Sequence, residues 1–223
     1  MDADGNYFAV DYLTAATQSV LPGTAPAVTA LAKHVVVVGG GDTGNDCVGT
    51  ALRQGCQSIV QLEMMPKAPE NRLAGNPWPT WPRILRTDYG QVEAISLQGS
   101  DPRVYETTVK SIRVNAKKRI TALETVRLQK QSDGKLTPVP GTEQTLPCDL
   151  LLIAAGFIGC EEETLSRFSL SADARGRLLP RDGSHHLEGK LFSAGDMRSG
   201  QSLVVRALAD GRAAAKEIHA FLA

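Results

Sequence analysis

The chain carries no surplus of positive charge. Its 24 Lys and Arg residues are matched by 24 Asp and Glu, for a formal net charge of zero. No basic surface for nucleic acid or an anionic membrane is encoded, and neither partner is expected. The N-terminus lacks what a targeting signal needs. It reads Met1-Asp2-Ala3-Asp4, acidic where a secretory leader is basic, and no apolar stretch follows. The longest apolar run, residues 150–158, is interrupted by Gly156. It falls well short of the ~20 residues that cross a bilayer. A cytoplasmic location is expected. Cysteine is scarce, and Cys47, Cys56, Cys148 and Cys160 form no C-x-x-C pair. Neither a zinc site nor an iron–sulfur cluster is signalled, and reduced thiols with packing roles are expected. The histidines, His34, His185, His186 and His219, show no ligand spacing. The adjacent pair His185-His186, flanked by Gly and Ser, reads as a solvated turn. No metal site, internal repeat or low-complexity tract is found.

What is present is an ordinary globular composition, 42% apolar and 22% charged over 223 residues. That length suits one large domain or two small ones. Residues 6–19 carry a helix-like apolar pattern, and a loop rich in Pro, Gly and Thr follows over 21–30. Val35-Val36-Val37-Val38, ending in three glycines, reads as a fully buried parallel strand. A helix is predicted over 44–54, with Gly55 as its stop, and a strand over 58–63 completes a β-α-β unit. Residues 64–83 differ in kind. They hold Pro66, Pro69, Pro77, Pro79 and Pro82 together with both tryptophans, Trp78 and Trp81. So long a connection is often functional. It reads either as a surface loop anchored by Trp rings on the core or as a loop facing a partner or cofactor. A helix is predicted over 84–97, then strands over 105–114, 120–128 and 135–139 as an antiparallel meander. A buried strand over 149–155 ends at Gly156. Loop and short helix follow over 164–180, a last strand over 191–194, and a helix over 201–222.

Two stretches point to chemistry. Gly39-Gly40-Gly41-Asp42-Thr43-Gly44 fits G-x-G-x-x-G between a strand and a helix. Gly39 permits the tight turn, Gly41 lets a pyrophosphate approach the backbone, and Gly44 lets the helix pack near the strand. The helix N-terminus then offers free N–H groups and partial positive charge to phosphates. Glu63 follows at close to the ~20-residue spacing of a ribose-binding acid. The second stretch is Phe192-Ser193-Ala194-Gly195-Asp196 with Gln201-Ser202-Leu203 opening a helix. A carboxylate at a strand end can accept a bond from a cofactor sugar hydroxyl, although Gly-Asp alone is also a common turn. Gly156, after the buried strand, completes the cofactor-binding candidates.

These residues resemble a known family. The glycine motif continued by Asp46-Cys47 is similar to the second dinucleotide motif of glutamate synthase small (beta) subunits. So are Asn76-Pro77-Trp78-Pro79-x-Trp81-Pro82 and Asp88-Tyr89-Gly90. The run Ala194-Gly195-Asp196-Met197-Arg198-x-Gly200-Gln201-Ser202-Leu203-Val204-Val205 resembles that family's flavin-binding signature. The likeness extends from about Phe8 to the C-terminus. It implies an α/β fold of two Rossmann-like dinucleotide-binding domains, the first a parallel sheet with an antiparallel meander. By that likeness, 1–32 is a lead-in segment from the FAD-type domain, 33–156 the NAD(P)H-binding domain, and 157–223 the C-terminal part of the FAD-binding domain. In such a family hydride passes from NAD(P)H to FAD. Electrons then cross iron–sulfur clusters to FMN on the large subunit, which makes glutamate from glutamine and 2-oxoglutarate. The family's N-terminal cysteine clusters and its first glycine motif are missing here. The chain is thus expected to be a fragment or split product, inactive alone, holding FAD weakly or not at all. Its expected partners are the glutamate synthase large subunit and the missing N-terminal FAD/iron–sulfur segment. No catalytic acid or base is expected, because the cofactors carry the chemistry. Glu63 favours NADH over NADPH, against Lys67 and Arg72 a few residues on. The rival readings are another flavin-dependent NAD(P)H oxidoreductase and a non-catalytic dinucleotide-binding module.

Overall fold

The computed structural model describes residues 3–180 and 182–223; Met1, Asp2 and Arg181 lie outside the described residues, Met1 and Asp2 being part of the acidic N-terminus noted above. The chain divides into two compact units, Met1–Ala155 and Gly156–Ala223.

In chain order the first unit contains β1 (Asn6–Phe8), α1 (Ala9–Val20), β2 (His34–Val38), α2 (Asp42–Arg53), β3 (Ser58–Leu62), α3 (Tyr89–Gln98) and β4 (Arg103–Val104). There follow β5 (Thr107–Val114), β6 (Ile120–Lys130), β7 (Leu136–Pro138), β8 (Gln144–Pro147) and β9 (Leu150–Ile153). A five-stranded sheet runs in the order β1-β9-β2-β3-β4, every pairing parallel. The four remaining strands form an antiparallel sheet around β6. Successive side chains of a strand face opposite ways, so a sheet covered on both faces favours apolar residues on both. Val35, Val37, Leu150 and Leu152 pack with Tyr12 of α1, Cys47, Val48 and Ala51 of α2 and Ala94 of α3. Val36 and Leu151 point the other way, onto Ile120 and Leu123 of β6 and Cys148. The parallel sheet thus lies between helices and meander. All four cysteines are free thiols, and burial pushes those of Cys47 and Cys148 up to about 12. At neutral pH these two behave as small apolar side chains.

The structure departs from the sequence expectations in several places. Residues 6–8, read as the start of a helix, pair with β9 as an edge strand. The strand and helix of segment 1–32, expected to belong to the FAD-type domain, lie in the first unit. The helix predicted over 84–97 begins only at Tyr89. Asp88 caps it through a capping box with Gln91, and left-handed Gly99 ends it. The strands β4 and β8 were not foreseen; both are short and exist only through pairing with distant partners.

The second unit contains α4 (Glu162–Arg167), α5 (Asp196–Ser199) and α6 (Val204–Leu222). The strand predicted over 191–194 is reduced to one isolated bridge between His186 and Phe192. An apolar run becomes a strand only with a neighbour to pair with. His186, Phe192 and Phe221 cluster with ring centroids 4.8, 5.2 and 5.5 Å apart. Among the described residues no helix is long and apolar enough to cross a membrane, and no group of three or more His, Cys, Asp or Glu could hold a metal ion.

Candidate dinucleotide-binding site

The loop 39–44 leaves the carboxyl end of β2, where the chain has neighbours β3 on one side and β9 on the other. Strand order reverses there, and open parallel sheets bind ligands at such a point. The glycines have distinct surroundings. Gly39 has φ +123°, and a Cβ on it would collide with the Ala154 carbonyl oxygen. At Gly44 a Cβ would meet the Gly39 carbonyl oxygen and lie 2.8 Å from Gln61 Nε2. At Gly40 it would strike the Glu63 carboxylate. Only Gly41 faces open space, with nothing within 4 Å. Gly41 also caps α2 without any side-chain hydrogen bond, so the first-turn N–H groups, those of Asp42 and Thr43 among them, remain for a ligand. The three packed glycines hold the loop in shape, and the fourth leaves a cradle that a Cβ would fill. This fits a pyrophosphate. Glu63 follows β3, half-buried, and its Oε1 accepts from the Met65 N–H at 2.7 Å. The expected ribose-binding acid and the expected phosphate loop are therefore in contact.

A chain of buried amides holds the loop from beneath, and it was missed by the motif analysis. Gln61, fully buried, donates from Nε2 to the Gly39 carbonyl at 2.8 Å and accepts from Gln91 Nε2 at 3.1 Å. The Gln91 N–H donates to Asn45 Oδ1 at 3.2 Å, and its Oε1 accepts from the Asp88 N–H at 2.8 Å. These bonds tie β3, the loop, α2 and α3 together. The same contacts explain Asp88-Tyr89-Gly90. Asp88 caps α3, Tyr89 Oη donates to Asp46 Oδ1 at 2.6 Å, and Gly90 lies so near the Asn45 carbonyl that no Cβ fits. Burial and the Asp46 hydrogen bond push the Tyr89 hydroxyl up to about 12.

The loop 64–83 is organised otherwise than by Trp rings on the core: Trp78 is 82% and Trp81 71% exposed. Its centre is Asn76, whose Nδ2 donates to Thr80 Oγ1 and the Trp81 carbonyl, both at 2.9 Å. Asn76 Oδ1 accepts from the Arg83 N–H at 2.7 Å. Arg72 Nη1 is bound to the carbonyls of Asn76 and Thr80 at 3.1 and 2.8 Å. Arg72 is thus engaged within the loop, whereas Lys67 is exposed. The Arg86 guanidinium stacks 4.5 Å from the Trp81 ring centre.

The remaining candidates lie in the second unit. Gly156 has φ +87° and open space around it. Gly195, φ +66°, leads into α5 with Asp196 exposed. Gln201 Nε2 donates to the Phe157 carbonyl at 2.6 Å. Ser202 and Leu203, both exposed, precede α6. Asp196 lines two clefts, of about 520 and 340 Å³, one shared with Ser202 and Leu208 and the other with Phe157 and Gln201. The neighbouring His185 is buried rather than solvated, because Asp210 and Glu217 face its two ring nitrogens.

This architecture recurs among solved structures. FprA from Mycobacterium tuberculosis, in complex with NADPH, matches with a TM-score of 0.63 at 15% identity, over 99% of this chain and 59% of that one. A variant of the flavoprotein disulfide reductase RclA from Escherichia coli matches at 0.53 and 15%, over 97% and 39%. The chain shares the fold of these two oxidoreductases. No family model matches the chain. By sequence it is similar to glutamate synthase small chains. It is 36% identical over 230 residues to the glutamate synthase [NADPH] small chain of Bacillus subtilis, covering 99% of this chain and 46% of that protein. It is 37% identical over 225 residues to the glutamate synthase [NADH] of Schizosaccharomyces pombe, covering 97% and 11%. The chain thus spans about half the length of the bacterial relative and about a tenth of the yeast one.

Proposed function

We propose that the chain is the electron-input part of a glutamate synthase. In this reading the first unit binds NAD(P)H through Gly39, Gly40, Gly41, Asp42, Thr43, Gly44 and Glu63. The second contributes Gly156, Gly195, Asp196, Gln201, Ser202 and Leu203 to a flavin site completed by an N-terminal FAD/iron–sulfur segment. The large subunit is then the onward partner, for reductive glutamate synthesis from glutamine and 2-oxoglutarate. Bound together, the cofactors supply hydride transfer, which needs no acid or base from the protein. The chain's own task is placement. Gly39 and Gly44 fix the loop, Gly41 leaves the phosphates room, and the start of α2 offers them N–H groups. Glu63 accepts ribose hydroxyls and disfavours a 2′-phosphate. Two unit charges 4 Å apart repel by roughly 4 kcal/mol at an effective dielectric of 20, and about 1.4 kcal/mol suffices for a tenfold preference. NADH is therefore the favoured donor. The likeness to small-chain relatives supports the assignment to this enzyme over other flavin-dependent reductases. Because the second unit is only part of a flavin site, FAD is held weakly by this chain alone.

The observation that carries this reading is the open space at Gly41 amid three packed glycines. Titration calorimetry with NADH tests it. Gly41→Val finds room in the fold but fills the cradle, so binding should weaken by at least about tenfold while the melting temperature holds. Equal affinity in wild type and variant would remove the assignment.

A further inference from the structure

Behind the turn that presents Gly195 and Asp196 lies a charged cluster. The Gly195 N–H donates to Asp210 Oδ2 at 2.7 Å, reaching an acceptor two turns into α6. The other Asp210 oxygen accepts from Arg198 Nη1 at 2.9 Å and faces His185 Nε2 at 3.1 Å. Arg198 also donates to the Ser184 carbonyl at 3.0 Å and to that of Gly183. His185, 5% exposed, meets Glu217 Oε1 through Nδ1 at 2.7 Å, and its backbone N–H donates to Glu217 Oε2 at 2.7 Å. Asp210 and Glu217 are partly exposed, with side chains 18% and 38% accessible, so the cluster acts through the geometry of its pairing. The cluster converges on one backbone group, the Gly195 N–H, and so fixes a turn with φ +66° and ψ −143°. On the other side of that turn Asp196 stands at the rim shared by the two clefts.

We propose that Asp210, clamped by Arg198 and His185, is a positioning residue that holds the Gly195 turn so that Asp196 can accept a hydroxyl of a flavin's polyol chain. This rests on the assignment of flavin to the second unit. Asp210 itself touches no cofactor. Its carboxylate sets the direction of one N–H, and that N–H sets the turn.

The test uses the full chain, ¹⁵N-labelled, titrated with FAD to millimolar concentration so that weak binding registers as amide shifts. In wild type the Asp196 and Gln201 amides should move, and the Gly195 amide should exchange slowly with solvent. Asp210→Ala should weaken FAD by about tenfold and speed Gly195 exchange by at least as much, while the 39–44 amides respond to NADH as before. Asp210→Asn discharges the cluster but keeps an acceptor for the Gly195 N–H, and it should stay within about threefold of wild type. The Asn variant also decides the matter if Asp210→Ala disrupts the second unit. Unchanged FAD affinity in Asp210→Ala overturns the proposal, as does an Asn variant as weak as Ala. A wild type that shows no shift with FAD removes the flavin assignment itself, a distinct result that takes the proposal with it.

Discussion

Val36 and Val204 carry the same side chain in opposite settings. Val36 is 1% exposed beneath Leu123, in a sheet covered on both faces; Val204 opens α6 at 76% exposed. The contrast holds across each unit. The first buries apolar residues from β2, β3, β9, three helices and the meander. In the second, Leu178 and Ala214 are the buried apolar residues described, and α6 buries Ala214 alone along its length. The pairing of His185, Arg198, Asp210 and Glu217 adds to the ring cluster of His186, Phe192 and Phe221 there. A close-packed apolar core fails on changes of volume, whereas removing one partner of a charge cluster leaves the other charge uncompensated. The exposed run of Leu203, Val204, Val205 and Leu208 is also the kind of apolar patch that marks a surface made to be covered.

The comparison can be broken first at two glycines. Gly39 and Gly195 both have positive φ, but only at Gly39 would a Cβ strike backbone; at Gly195 it would lie 3.8 Å from Ala207 Cβ. Gly39→Val should destabilise the first unit by about 4 kcal/mol, combining collision with strain. Gly195→Ala should cost about 2 kcal/mol, from backbone strain alone. Urea denaturation followed by amide signals of each unit reads both, and equal losses would erase the distinction. Next in size, Leu152→Ala in the core should cost about 3 kcal/mol, whereas Leu208→Ala on exposed α6 should stay within about 0.5 kcal/mol.

Acid should reverse the order of vulnerability. Burial pushes Asp210 up, but the Gly195 N–H, His185 and Arg198 outweigh it and hold the carboxyl below its ordinary range. His185, through ring and backbone N–H, holds Glu217 low as well. A carboxylate whose folded pKa is lowered contributes stability that is complete above its unfolded value, ~4, and is lost as pH falls through the folded one. The first unit also has lowered carboxylates, Asp101 and Glu143, in pairs of comparable exposure with Arg103 and Lys110, but its two apolar clusters do not titrate. Limited proteolysis at falling pH should therefore cut the second unit first, below about pH 4. Prior cleavage in the first unit would contradict this. The smallest effect concerns cofactor choice. Glu63→Ala should weaken NADH and strengthen NADPH, moving their ratio by about tenfold, or ~1.4 kcal/mol. If wild type already prefers NADPH and Lys67→Ala abolishes that preference, the role given to Glu63 is wrong.

What was legible in the sequence was local. Four consecutive valines and a glycine triplet announce a buried strand and a tight turn into a helix, because period and turn chemistry lie within a dozen residues. Glu63 could be singled out because a β-α-β unit has a standard length, and it lies beside the glycine loop. The amide chain through Gln61, Asn45 and Gln91 was not legible, since each residue alone is an ordinary polar side chain and only packing of α2 against α3 joins them. His185 looked solvated because the carboxylates that bury it come from α6, far along the chain. The Trp-rich loop invited a reading through its largest residues, whereas Asn76 and Arg72 give it shape by satisfying backbone groups.

Those two tryptophans also decide what light can report. They are the only ones in the chain and lie in a single solvent-facing loop. The indole emission of this protein is thus a local signal, long in wavelength and open to collisional quenchers even in the native state. Denaturation followed by that emission would record the loop and remain nearly blind to the valine core, so tyrosine signals or circular dichroism must carry any measurement of global unfolding.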